Sequence, residues 1–156
     1  MKVIFLDIDG VLNYEKCPYK LHGVYFVDPE KIKLLKKIVD NTGARIVLSS
    51  TWRCGRFLQD ENPREYKLFC KLRRKLEEYG IRFYSYTPIF DYDKRRYRGD
   101  EIKQWFVNWH ANTIDNFVIL DDDSDMEPYM DRLVQTTWTT GLTESDVEKA
   151  IVLLNT

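Results

Sequence analysis

The sequence predicts an α/β domain with a central, mostly parallel five-stranded sheet and helices on both faces. Three observations carry the prediction. Short apolar runs alternate with stretches of helical periodicity along the whole chain. The runs Val3–Leu6 and Phe117–Leu120 are continuously apolar, as in strands covered on both sides. The helical stretches carry their own start and stop residues.

The first strand, Lys2–Leu6, runs straight into Asp7. The first helix opens at Asp28-Pro29-Glu30: Asp28 caps it, Pro29 suits the first turn and Glu30 suits the positive end of the dipole. Its inward stripe is Ile32, Leu35, Ile38 and Val39, and Gly43 ends it. Ala44–Leu48 is the second strand. Asn62-Pro63-Arg64-Glu65 starts a second helix in the manner of a capping box, with Leu68, Leu72, Leu76 and Tyr79 on one face and Gly80 at its end. Ile81–Tyr84 is the third strand. A third helix begins near Gly99-Asp100 and turns Ile102, Trp105, Phe106 and Trp109 inward. Phe117–Leu120 and Leu133–Thr137 are the fourth and fifth strands. Thr143 caps a last helix that buries Val147, Ala150, Ile151 and Leu154. The least regular stretches, Asn13–Val27, Gly55–Asn62 and Tyr86–Arg98, are the expected carriers of specificity.

A chain of 156 residues fits one domain, 1–156, and is long enough to bury a core without staples. A net charge of −1 supplies no global field toward nucleic acid or membrane, so nucleic-acid binding would need a local patch. Cys17, Cys54 and Cys70 form no CxxC pair and cannot all pair, which suggests a reducing compartment. No apolar run has the length of a signal peptide or a membrane span, so the expected location is cytoplasmic.

Ligands of such sheets bind beyond the carboxyl ends of the strands. There the sequence places Asp7-Ile8-Asp9-Gly10 after the first strand and Ser49-Ser50-Thr51-Trp52-Arg53 after the second. Asp121 to Asp125 follow the fourth strand, and the basic cluster Lys94, Arg95, Arg96 and Arg98 precedes the third helix. Asp7 and Asp9 can leave an extended segment on one face, and Gly10 allows a sharp turn. Asp121 and Asp122 would converge on them, and carboxylates packed so closely repel unless a cation neutralises them. An all-oxygen set of Asp7, Asp9, Asp121 and Asp122 suits Mg2+. His22 and His110 lie far apart and near no cysteine pair, so zinc has no competing site. With a metal present, Asp7 can attack phosphorus while Asp9 serves as acid and then base. Ser49 can hold phosphoryl oxygens, and a cation near Arg98 can offset the charge on the transferring group.

These segments resemble the four signature motifs of the haloacid-dehalogenase (HAD) superfamily. Asp7-Ile8-Asp9-Gly10-Val11-Leu12 is similar to the first motif, Val47-Leu48-Ser49 to the second and Ile119-Leu120-Asp121-Asp122 to the fourth. The third motif usually supplies a lysine; here Arg98 lies nearest the helix start, with Lys94 the second choice. The resemblance implies a three-layer Rossmann-like domain and a phosphomonoester hydrolase working through an aspartyl phosphate. It implies no large cap domain, because a whole helix already fills the interval between Asp9 and the second strand; a short flap over residues 13–27 remains. Ser50-Thr51-Trp52-Arg53, Arg98-Gly99-Asp100-Glu101-Ile102 and Leu120-Asp121-Asp122-Asp123-Ser124-Asp125-Met126 resemble the HAD domain associated with RNA-repair proteins. The layout is also similar to the phosphatase half of polynucleotide kinase-phosphatase. By that resemblance the substrate is a phosphorylated RNA or DNA end, and other repair enzymes are candidate associates.

Other readings of the same residues stand beside these. Ser50, Trp52, Arg53 and Lys94 are candidate substrate contacts: Arg53 for phosphate and Trp52 for stacking on a base. Equally, Trp52 can be a core tryptophan and Arg53 a surface ion pair. Asp121 to Asp125 can be an acidic loop capping a short Met126–Met130 helix. At the level of function, the alternatives are a phosphatase for a small nucleotide or sugar phosphate, and a catalytically silent module that binds phosphorylated ligands. Retention of both Asp7 and Asp9 argues against the silent module.

Overall fold

In the computed structural model, which describes residues 1–90, 97–109 and 113–156, the first strand is buried from both sides. Along β1 (Lys2–Leu6), Ile4 and Leu6 enter one core and Val3 and Phe5 the other, and none of the four is exposed to solvent. This explains why the run is apolar at every position rather than at every second one.

Beside β1 lie β4 (Arg45–Leu48) and β6 (Asn116–Asp121), and outside them β5 (Phe83–Tyr86) and β7 (Leu133–Gln135). The order is β5-β4-β1-β6-β7, with every pair parallel. The chain steps outward from β1 to β4 and β5, then crosses back to build β6 and β7 on the other side. Such a reversal opens a crevice at the carboxyl ends of the central strands. Leu6 pairs with both Leu48 and Leu120, so Asp7, Ser49 and Asp121 come level at that edge.

The two faces are covered unequally. Helices α1 (Pro29–Thr42), α2 (Pro63–Glu78) and α4 (Glu144–Asn155) send Ile32, Leu35, Leu72, Leu76, Val147 and Leu154 into the core of one face. Among the described residues the other face has α3 (Arg98–Asn108) alone. Aromatic bulk compensates there: the Phe5 ring meets Trp105 at 5.2 Å, Phe106 at 5.5 Å and Phe117 at 5.9 Å, edge to face. The buried Trp105 indole donates to Ser85 Oγ at 3.0 Å, so its one polar atom is satisfied.

The predicted caps form. Asp28 Oδ1 accepts from Glu30 N at 2.9 Å, Asn62 Oδ1 from Glu65 N at 3.3 Å and Thr143 Oγ1 from Asp146 N at 3.3 Å. Four predicted details differ. The third strand starts at Phe83, not Ile81, because Ile81 N is spent on Leu76 O, closing α2, while its side chain stays buried. No helix spans Met126–Met130; Pro128 offers no N–H there, and one 3₁₀ turn follows at Met130–Arg132. Trp109 falls past the end of α3 and is 41% exposed, stacked on Trp105 rather than buried. The fifth strand stops at Gln135, and Thr136 turns its hydroxyl to Gly10 O at 2.6 Å.

The stretch 13–27 folds as a flap with a small hairpin, β2 (Lys20–Leu21) and β3 (Val24–Tyr25). His22 and Gly23 make its tight turn, both with positive φ. No large cap domain covers the sheet edge. Among the described residues no helix is long and apolar enough to cross a membrane.

Candidate active site

Asp7 leaves β1 with its N–H still donating to Leu120 O at 2.9 Å, so its backbone is held by the neighbouring strand. The chain then turns: Val11 N and Leu12 N both donate to Ile8 O, and Ile8, Val11 and Leu12 lock into the core. Gly10 sits in this turn at φ +81°. A Cβ there would lie 2.8 Å from Asp122 Cβ and closer still to its carboxylate. Glycine is thus needed twice, for the backbone conformation and for the approach of Asp122.

Asp121 ends β6 fully buried, and Asp122 follows half-buried. Asp7, Asp121 and Asp122 each present an oxygen within 4.8 Å of the others. Into this group comes Arg98, the first residue of α3: its Nη1 lies 3.1 Å from Asp7 Oδ1 and 2.6 Å from Asp121 Oδ2. Asp125 fixes where that helix begins, taking Arg98 N on its side chain at 2.9 Å and Gly99 N on its carbonyl at 3.0 Å. Gly99 permits the contact, since a Cβ there would lie 2.8 Å from the Met126 carbonyl carbon.

The electrostatics follow from this crowding. Burial pushes the Asp7 carboxyl up; Arg98 and the Ile8 N–H oppose the shift, and Asp9 adds to it. Asp121 is raised by burial and then by Asp7, again against Arg98. Asp122 is raised by the same two causes in milder form. Burial works against the Arg98 charge, yet Asp7 and Asp121 outweigh it, so the guanidinium is held firmly charged. Among the described residues one cation faces three carboxylates, and the ligand atoms are all oxygen. That donor set fits a hard divalent cation.

Asp9 lines the same small cleft, of about 240 Å³, but its carboxylate stands outside the three-carboxylate group. Its Oδ1 accepts from Asn13 Nδ2 at 2.8 Å and its Oδ2 from Trp52 Nε1 at 3.1 Å. The extended segment ends at Leu6, so the turn at Ile8 carries Asp9 around rather than leaving it on the face of Asp7.

After β4, the hydroxyl near Asp7 is that of Ser50, which works against the rise of the Asp7 pKa and accepts from Trp52 N at 3.2 Å. Ser49 is wholly buried, and its Oγ has no hydrogen-bond partner among the described residues; Thr51 reaches the cleft instead. Adjacent residues of an extended chain face opposite ways, which puts Ser50 at the site and Ser49 beneath it.

Arg53 corrects the sequence reading. It is 2% exposed, and all five of its N–H groups are spent: Nε on Thr87 O, Nη1 on Ser49 O and Ser50 O, Nη2 on Pro88 O and the Glu101 carboxylate. It is neither a phosphate contact nor a surface ion pair but a buried clamp between the β4 loop, the β5 loop and α3. Lys94, Arg95 and Arg96 lie outside the described residues.

The sequence reading gave no role to Asn13 or Glu101 and left Asp125 between function and an acidic loop. Asn13 orients Asp9 and also accepts from Gly10 N at 3.0 Å. Glu101 holds Arg53. Asp125, which was visible in an acidic run, anchors α3. For Asn13 and Glu101 the sequence carried no signal beyond a polar residue near a motif.

A parallel α/β sheet without a large cap, with a buried aspartate, a cation and paired aspartates at its carboxyl edge, defines a phosphatase of the HAD type. The sequence profile of the HAD domain in Swiss Army Knife RNA repair proteins matches residues 3–147, and the chain belongs to that family. A search of curated proteins returned no significant match.

Proposed function

We propose that this phosphatase hydrolyses a phosphate monoester at a nucleic-acid end, with Mg2+ as cofactor and Asp7 as nucleophile. The observation that supports it best is Asp7 held between Arg98 and the pair Asp121 and Asp122. Asp7, Asp121 and Asp122 would hold the ion, which when bound screens their charges and those of the phosphoryl oxygens.

In the first step an Asp7 oxygen forms a bond to phosphorus as the ester oxygen departs, giving an aspartyl phosphate. Asp9 gives its proton to the departing oxygen, leaving a free hydroxyl on the substrate. In the second step Asp9 takes a proton from water, whose oxygen attacks phosphorus and releases inorganic phosphate and Asp7. Asn13 and Trp52 keep the Asp9 carboxylate at the mouth of the cleft. Arg98, paired with Asp7, faces the charge on the phosphoryl oxygens. Among the described residues no large cap covers the sheet edge, which suits a large substrate. The name of the family points to RNA ends, and work beside other repair enzymes follows from it.

The test is phosphate release from an aryl phosphate and from oligonucleotides with 3′ or 5′ phosphate, with Mg2+ or EDTA. Mg2+-dependent release that Asp7→Asn reduces to background supports the mechanism. Release that survives Asp7→Asn removes Asp7 as nucleophile.

A further inference from the structure

Asp9 belongs to two clefts. Beyond the small acidic one, a larger cleft of about 710 Å³ opens from Asp9 toward the hairpin and is walled by Tyr25, Trp52 and Trp138. Its size is that of a small-molecule site. Trp138 comes from the loop after β7, Tyr25 from β3 and Trp52 from the 3₁₀ helix after β4, so three distant segments bring aromatic rings to one place.

Trp138 is 39% exposed, yet its backbone is firmly placed. Thr137 O accepts from Gly141 N at 2.8 Å to close the turn that bears it, and its own carbonyl accepts from Glu15 N at 2.7 Å. Its ring meets Tyr25 at 5.6 Å, edge to face. A large aromatic surface kept in water at a fixed position, beside the acid of the reaction, is available for a flat ligand. Asp9 and Glu65 line the cleft, while at its hairpin wall Lys20 Nζ stands 5.2 Å over the Tyr25 ring and Arg64 donates to His22 O. The carboxylates that line it can accept from a flat, uncharged ring bearing N–H donors.

We infer that this cleft holds the base of the terminal nucleotide, stacked on Trp138. The inference rests on the nucleic-acid reading above and adds to it a requirement for a base at the reacting end. Asp9, which lies where the clefts meet, is then at the ester oxygen joining base-bearing sugar to phosphate.

The test uses one end-phosphorylated oligonucleotide in two forms, with its terminal base and abasic at that nucleotide. Wild-type protein should prefer the base-bearing end by about tenfold or more in kcat/KM, the usual scale of base–aromatic stacking. Trp138→Ala should abolish most of that preference and Trp138→Phe should keep most of it. Equal treatment of the two ends by wild-type protein, or equal slowing of both by Trp138→Ala, overturns the inference. A binding readout separates this from the phosphatase reading. In Asp7→Asn protein the base-bearing end should quench tryptophan fluorescence more than the abasic end, and Trp138→Ala should remove the difference. If no substrate releases phosphate, the phosphatase reading fails alone and the quenching decides for or against the cleft.

Discussion

Arg53→Met should loosen the fold far more than it weakens any hold on substrate. The methionine restores most of the buried stem but none of the five N–H groups. The carbonyls of Ser49, Ser50, Thr87 and Pro88 and the carboxylate of Glu101 then lose the donors they now have at 2.5 to 3.1 Å. An unsatisfied buried polar group costs about 1–3 kcal/mol, and breaking a buried ion pair by removing one partner costs about 3–5 kcal/mol. The sum is tempered because Glu101, already raised by burial against the pull of Arg53, can take up a proton. About 4 kcal/mol is a reasonable net loss, within the range for a broken buried pair. In a chain of 156 residues, that lowers the melting temperature by about 8–16 °C. Glu101→Gln keeps an acceptor and should cost about 1–3 kcal/mol. Thermal and urea unfolding of both variants, with kcat/KM measured on the folded fraction, gives the comparison. If Arg53 served the substrate instead, Arg53→Met would melt within about 2 °C of wild type and raise KM at least about tenfold, the arithmetic of one lost charged contact. That result would falsify the clamp.

Other outcomes follow from the acidic cluster and its turn. Asp7 and Asp121 have folded-state pKa values above the ordinary 3.8, Asp121 pushed up to about 8, so the native state binds more protons than the unfolded chain. Their stabilising contribution is complete below pH 3.8 and is lost as pH rises toward 8; metal-free protein should therefore unfold at lower urea at pH 8 than at pH 5. Mg2+ should recover more stability at pH 8 than at pH 5, and a metal-free urea midpoint that rises over this interval contradicts the arrangement. Gly10→Ala should cost at least about 1–2 kcal/mol in urea unfolding, from the left-handed backbone alone. It should also weaken Mg2+ binding, because Asp122 must retreat from the new Cβ. Loss of stability with unaltered Mg2+ affinity would separate Asp122 from the metal.

How much was legible in the sequence differs by element and for physical reasons. Helix α1 was readable because Asp28, Pro29 and Gly43 act on backbone groups within one turn of themselves. Strand β1 was readable because burial on both faces demands an unbroken apolar run. The start of β5 was not: whether Ile81 N serves the strand or closes α2 is decided by the cap geometry around Gly80.

The site divides in the same way. That carboxylates and a cation gather at one sheet edge is determined by the sequence, since strand direction and spacing carry Asp7, Asp121 and Arg98 there. Which atoms meet was decided by tertiary structure alone. Ser50 rather than Ser49 faces Asp7, Asp9 turns toward Trp52, and Arg53 disappears into the clamp. Side-chain chemistry is a property of one residue and survives in one dimension. The direction of a side chain depends on a turn, and its partners depend on segments brought together from far along the chain, as Glu101 is to Arg53 and Trp138 to Tyr25.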